Sequence, residues 1–127
     1  MAMTGIDFVS LLLSDFPSLS DFVHENDGLL HVQMGAFARH TQSAIENGDM
    51  QELDRCFALA HVGFRDADAS LKNAFYVSYL EHLDFTGTHG AASQRRMTPL
   101  LRAGFTEIMD YMEKLFKESK KPKGRRR

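Results

Sequence analysis

Residues 29–47, LLHVQMGAFARHTQSAIEN, place Leu30, Met34, Phe37, Ala38, Thr41 and Ile45 at offsets 0, 4, 7, 8, 11 and 15. That spacing holds all six on one face of a 3.6-residue helix and predicts an amphipathic α-helix buried along one side. Asn47-Gly48 closes it, since both residue types accept the positive φ of a helix C-terminus. Asp49 then serves as the N-cap of a second helix, with Glu52 three positions on and Leu53, Phe57, Ala60 and Phe64 on the inner face. About two residues separate the two helices, so they pack antiparallel as a hairpin.

Toward the carboxyl end, Asp68 caps a helix expected to reach Leu83, in which Leu71, Ala74, Phe75, Val77, Tyr79, Leu80 and Leu83 cover most of the circumference. A helix apolar nearly all round is surrounded by others, and this one is the expected centre. Residues 84–95, DFTGTHGAASQR, have small side chains and no periodicity, and predict one long mobile loop. Thr98-Pro99 opens a last helix, along which Leu101, Phe105, Ile108, Met112 and Leu115 recur at 4-3-4-3 spacing. Toward the amino end, Thr4 and Asp7 form a capping pair for a short helix with Ile6, Val9, Leu12 and Leu13 inward. Pro17 interrupts it, and residues 17–23 predict another short helix burying Leu19, Phe22 and Val23. No stretch alternates β-branched with polar residues. The expected fold is therefore all-α, about six helices packed as antiparallel helical hairpins.

At 127 residues and 43% hydrophobic content the chain supports one core and not two. No apolar run exceeds Leu11 to Leu13, far short of the roughly 20 residues a membrane span needs. The amino end lacks a basic n-region and carries Asp7 where a signal peptide would be apolar. A lone cysteine, Cys56, suits a reducing compartment, so the expected location is cytoplasmic. Residues 117–127, KESKKPKGRRR, carry seven basic residues against one Glu, a local charge of +6; with a net charge of −2 this leaves −8 on the rest. The division predicts a helical domain over 1–116 and a disordered basic tail over 117–127. Such a tail can hold nucleic acid through its phosphates, but the acidic body opposes it and no other basic stripe exists, so nucleic acid is an unfavoured partner.

The six histidines are spaced 7, 9, 21, 21 and 7 apart, so none forms the i, i+3 or i, i+4 pair that would present two imidazoles to one ion. The closest mixed cluster is Glu81, His82, Asp84 and His89, which would have to serve any metal-dependent enzyme built on this chain. An ordinary solvated helix end accounts for it as well, and no metal or cofactor is assigned. Cys56 sits mid-helix, where a thiol is usually an inert core residue. No nucleophile elbow or phosphate-cradling glycine loop is present, so no catalytic residue is assigned. Phe37, Phe57, Phe64, Phe75 and Phe105 fall on inner faces, whereas Tyr76, Tyr79 and Tyr111 suit an edge or interface. The methionines suit core gaps, and Gly35 and Gly104 close helix packing. Carboxylates gather in two places: Asp49, Glu52, Asp54, Asp66 and Asp68 at the ends of one helix, and Glu107, Asp110 and Glu113 along the last. Such a surface captures a basic protein, although a solvated face explains it equally.

Residues 25–60 and 71–85 resemble an uncharacterised family of small all-helical bacterial proteins that includes suspected immunity partners of antibacterial toxins. The resemblance lies in an H-V-x-M-G-x-F-x-R segment (His31, Val32, Met34, Gly35, Phe37, Arg39) and an N-A-x-x-V-S-[YF]-L-E segment (Asn73, Ala74, Val77, Ser78, Tyr79, Leu80, Glu81). It implies an all-helical bacterial protein and transfers no catalytic residue. His31 and Arg39 lie eight apart along one helix face, and with Glu81 they are candidates for a shared polar pocket or, equally, for ties between helices. The expected function is non-enzymatic protein binding, as an immunity protein neutralising a basic toxin through an acidic helical face. A regulatory adaptor or homodimer using the last helix is the alternative.

Overall fold

In the computed structural model, which describes residues 2–120, seven α-helices carry most of the described chain. They are α1 (Gly5–Asp15), α2 (Ser20–Glu25), α3 (Leu30–Asn47), α4 (Met50–Asp66), α5 (Ala69–Ser78), α6 (Gly90–Gln94) and α7 (Pro99–Lys120). Single 3-10 turns occupy Pro17–Leu19 and Leu80–His82, and no strand forms among the described residues. An isolated parallel bridge, Met3 N to Asp66 O at 2.6 Å and Asp68 N to Met3 O at 2.8 Å, pins the amino end to the α4–α5 junction.

The helix ends are built as the residue types dictate. Thr4 and Asp7 exchange side-chain bonds with each other's backbone amides at 3.1 Å, a complete capping box. Asp49 accepts from the Glu52 amide, Asp68 from Leu71 and Thr98 from Leu101, each satisfying a donor that no helix carbonyl can reach. Gly48 closes α3 at φ 68°.

α5 packs against α3, α4 and α7 and is the central element. Its Phe75 meets Phe8 edge-on at 5.0 Å, and Tyr79, just past its end, stacks on Phe37 at 4.7 Å. Phe57 and Phe64 complete this aromatic core, and Met34 and Met97 are buried within it. Each well-oriented ring pair adds about 0.5–1.5 kcal/mol beyond the apolar area it buries.

Several expectations are corrected. Ile6 is 82% exposed, and the inner stripe of α1 is Phe8 and Leu12, continued by Phe16; those two rings fill more of the core than Ile6 would. Phe22 lies at the surface with the Arg39 guanidinium 5.0 Å from its ring centre. Tyr79, expected at an edge, is fully buried, its hydroxyl satisfied by Thr41 Oγ1 at 2.9 Å. The central helix does not reach Leu83: Tyr79 leaves helical geometry at φ −124°, ψ −70°, and the chain tightens into the Leu80–His82 turn. Residues 84–95 are not one loop but contain α6, docked on α3. At Gly35 an added methyl carbon would only touch the flexible Arg39 side chain at 3.6 Å, whereas at Gly104 it would lie 2.9 Å from Phe64, as close packing requires. The segment expected to be disordered from 117 onward is helical through Lys120, and the remainder of that expectation lies outside the described residues.

Candidate functional site

The five carboxylates around α4 are engaged by the fold itself. Asp49 and Asp68 are N-caps, Asp54 pairs with Arg96 at 2.8 Å, and Asp66 holds Arg65 through two bonds of 2.9 and 3.0 Å. That hydrogen bond from Arg65 holds the Asp66 carboxyl below its ordinary pKa. Glu52 is bonded twice, as described below. On α7, Glu107 accepts the Tyr76 hydroxyl at 2.7 Å and Glu113 lies 3.6 Å from Lys117, a surface pair of little energetic weight. Burial first, then Glu107, pushes the Tyr76 hydroxyl up to about 12. Asp110 is exposed, and its carboxylate makes no hydrogen bond or ion pair among the described residues.

His31, Arg39 and Glu81 do not share a pocket. His31 Nδ1 bonds Ser78 Oγ at 2.7 Å and so ties α3 to the end of α5. Arg39 covers Phe22 and borders a depression of about 270 Å³ with Gly35, Ala38, Gln42 and His82. Glu81 sits on the Leu80–His82 turn, and its carboxylate makes no hydrogen bond or ion pair among the described residues.

Glu81, His82, Asp84 and His89 are likewise dispersed. Asp84 Oδ1 accepts from both the amide and the hydroxyl of Thr86, which lowers its carboxyl pKa. The His89 ring lies over Gly48, and His82 faces the separate depression beside Arg39. Asp84 and His89 line a cleft of about 270 Å³ against Gln42 and Glu46 on α3. Gln42 clamps that segment, donating to Asp84 O at 3.0 Å and accepting from Asp84 N at 2.8 Å.

A group that histidine spacing alone misses is assembled where α3 crosses α4. His40, Glu52 and Cys56 bring one ligand atom each to within 4.8 Å of one another, and no other such trio occurs among the described residues. The Glu52–Cys56 spacing of i, i+4 was visible in the sequence, but their partner comes from the facing helix of the hairpin. His40 Nε2 donates to Glu52 Oε2 at 2.6 Å, and Arg55 donates to Glu52 Oε1 at 2.7 Å. The His40 bond, aided by Arg55 and opposed by burial, holds the Glu52 carboxyl below its ordinary pKa. Cys56 is fully buried beside the Thr41 hydroxyl, and burial pushes its thiol up to about 11. As a free thiol it is protonated at neutral pH and a poor nucleophile.

The apolar stripe of α7 outlasts the body beneath it. Leu101 and Ile108 are buried and Met112 partly so, but Tyr111 is 56% and Leu115 41% exposed. Tyr111 and Leu115 stand three and seven residues beyond Ile108 and so continue its side of the helix.

The chain belongs to the family described as a domain of unknown function (DUF7674), which matches residues 9–113, from within α1 to within α7. Neither the curated proteins nor the solved structures contain a match. No helix among the described residues is long and apolar enough to cross a membrane.

Proposed function

We propose that this chain is a protein-binding module of the bacterial cytoplasm, and that it neutralises a basic toxin by docking it on the distal part of α7. The observation that carries the reading is the exposed continuation of the α7 stripe at Tyr111 and Leu115. An apolar face on a projecting helix adds nothing to the core and costs solubility, whereas an aromatic anchor rimmed by charge is what a protein interface uses. Glu107, Asp110 and Glu113 supply that rim, and the −8 carried by residues 1–116 favours capture of a positively charged partner. The carboxylates around α4 contribute to that long-range field only, since their short-range bonds are already made.

Co-expression with a toxin encoded beside this chain is the test. Protection is expected from the wild type and from Ile6→Asp on α1, and not from a Tyr111→Asp, Leu115→Asp double variant that remains folded. Full toxin activity in the presence of the wild type overturns the reading. The homodimer alternative uses the same stripe, whose 4-3-4-3 spacing with flanking charges of both signs also suits a second copy. Sedimentation as a monomer at high concentration excludes it.

A further inference from the structure

We infer that His40, Glu52 and Cys56 form a site for one borderline-soft divalent cation of the Zn²⁺ type at the crossing of α3 and α4. The inference is independent of the α7 reading and uses a different part of the molecule. Glu52 and Cys56 are four residues apart, so their side chains leave α4 on successive turns toward α3, where His40 meets them. A tetrahedral Zn²⁺ takes nitrogen and oxygen at about 2.0–2.2 Å and sulfur at about 2.3 Å, which spaces its ligands roughly 3.3–3.8 Å apart. With all three ligand atoms inside 4.8 Å, side-chain shifts of under about an ångström close the set.

The surroundings orient each ligand. Arg55 holds Glu52 Oε1, leaving Oε2 turned toward His40. The Phe16 ring meets the His40 imidazole edge-on at 5.1 Å and fixes its plane, while the Arg55 guanidinium lies over the Phe16 ring, 4.7 Å from its centre, and donates to Asp15 O at 2.6 Å. The Thr41 hydroxyl lies beside Cys56 and is itself held, donating to Phe37 O and hydrogen-bonded to the Tyr79 hydroxyl, each at 2.9 Å. Metal ligands held in this way by outer hydrogen bonds are pre-positioned for coordination.

Charge selects the ion. A carboxylate and a thiolate together neutralise a dication, so no uncompensated charge is left against the fully buried sulfur. The mixed sulfur, nitrogen and oxygen donors select Zn²⁺ or Co²⁺ over Mg²⁺ and Ca²⁺. On binding, the thiol proton leaves to solvent. The Nε2 hydrogen that His40 gives to Glu52 is lost as the ring takes the tautomer with its hydrogen on Nδ1, exchanging through solvent, so that Nε2 coordinates the metal. Entry is from the side on which His40 and Glu52 are each 25% exposed, where water completes the fourth position.

The test is a Co²⁺ titration of the full chain, purified with chelator and without a histidine tag. A sulfur-to-cobalt charge-transfer band in the near ultraviolet is expected, with tetrahedral visible bands saturating at one equivalent and displaced by Zn²⁺. Cys56→Ser removes the charge-transfer band. Glu52→Gln, which can still hydrogen-bond His40 and Arg55 and so preserves the fold, weakens Co²⁺ binding at least tenfold, as does His40→Ala. Asp84→Asn and His89→Ala leave it unchanged. Absence of the band at saturating Co²⁺ overturns the site, and so does affinity unaffected by Glu52→Gln and His40→Ala.

Discussion

At Gly63 an added methyl carbon would lie 2.6 Å from a Phe8 ring carbon and 2.7 Å from Phe75, whereas at Gly35 its nearest neighbour would be Arg39 at 3.6 Å. Both glycines are helical, and only the first is imposed by packing. Because Phe8 and Phe75 are fully buried and cannot swing aside, Gly63→Ala is expected to cost about 1–3 kcal/mol. Gly35→Ala removes backbone freedom from the unfolded chain with no clash, and is expected to stabilise by about 0.5–1 kcal/mol. Urea unfolding of the two variants checks both signs, and equal stabilities would contradict the packing around Gly63. Nothing in the local sequence separates these positions, since the difference lies in rings contributed by α1 and α5. The same holds for Tyr79 and for the His40–Glu52–Cys56 group. Periodicity locates a face, but the partner that satisfies a buried hydroxyl or completes a ligand set comes from another helix.

The segment from Asp84 to Gln94 makes the point for elements. Its glycines, alanines and serines read as mobility because they carry no apolar period, yet small side chains also allow a segment to dock closely. At Gly90 a methyl carbon would collide with the Phe85 backbone carbonyl, and Ser93 is fully buried. By contrast, α3, α4 and α7 were legible because long amphipathic periods and sharp caps agree at both levels. The docked segment depends on Gln42, whose two bonds to the Asp84 backbone lie at an exposed edge. Gln42→Ala is expected to lower global stability by no more than about 1–2 kcal/mol. Amide exchange at residues 84–90 should accelerate well beyond that of α3 and α4, because the clamp holds the segment locally. Uniform acceleration across the chain would mean that Gln42 stabilises the whole fold instead.

For the whole molecule, the net charge of −2 is a cancellation, and the cancellation now has a position. Residues 121–127 hold five basic residues beyond the last described turn of α7, so a chain ending at Lys120 carries −7. If the partner is basic and docks on Tyr111 and Leu115, that shorter chain keeps the docking surface and strengthens the field that attracts the partner. It is expected to bind at least as fast as the full chain, with a steeper loss of rate on adding salt. A chain ending at Asp110 removes the stripe while leaving Leu101 and Ile108 in the core, with only Met112 lost from the residues that pack against it. It is expected to unfold within about 1–2 kcal/mol of the full chain and to bind no partner. Binding measured for the three lengths at two salt concentrations separates the terms. Loss on removing 121–127 alone would place the function in the basic segment, and retention by the chain ending at Asp110 would take it away from α7 altogether.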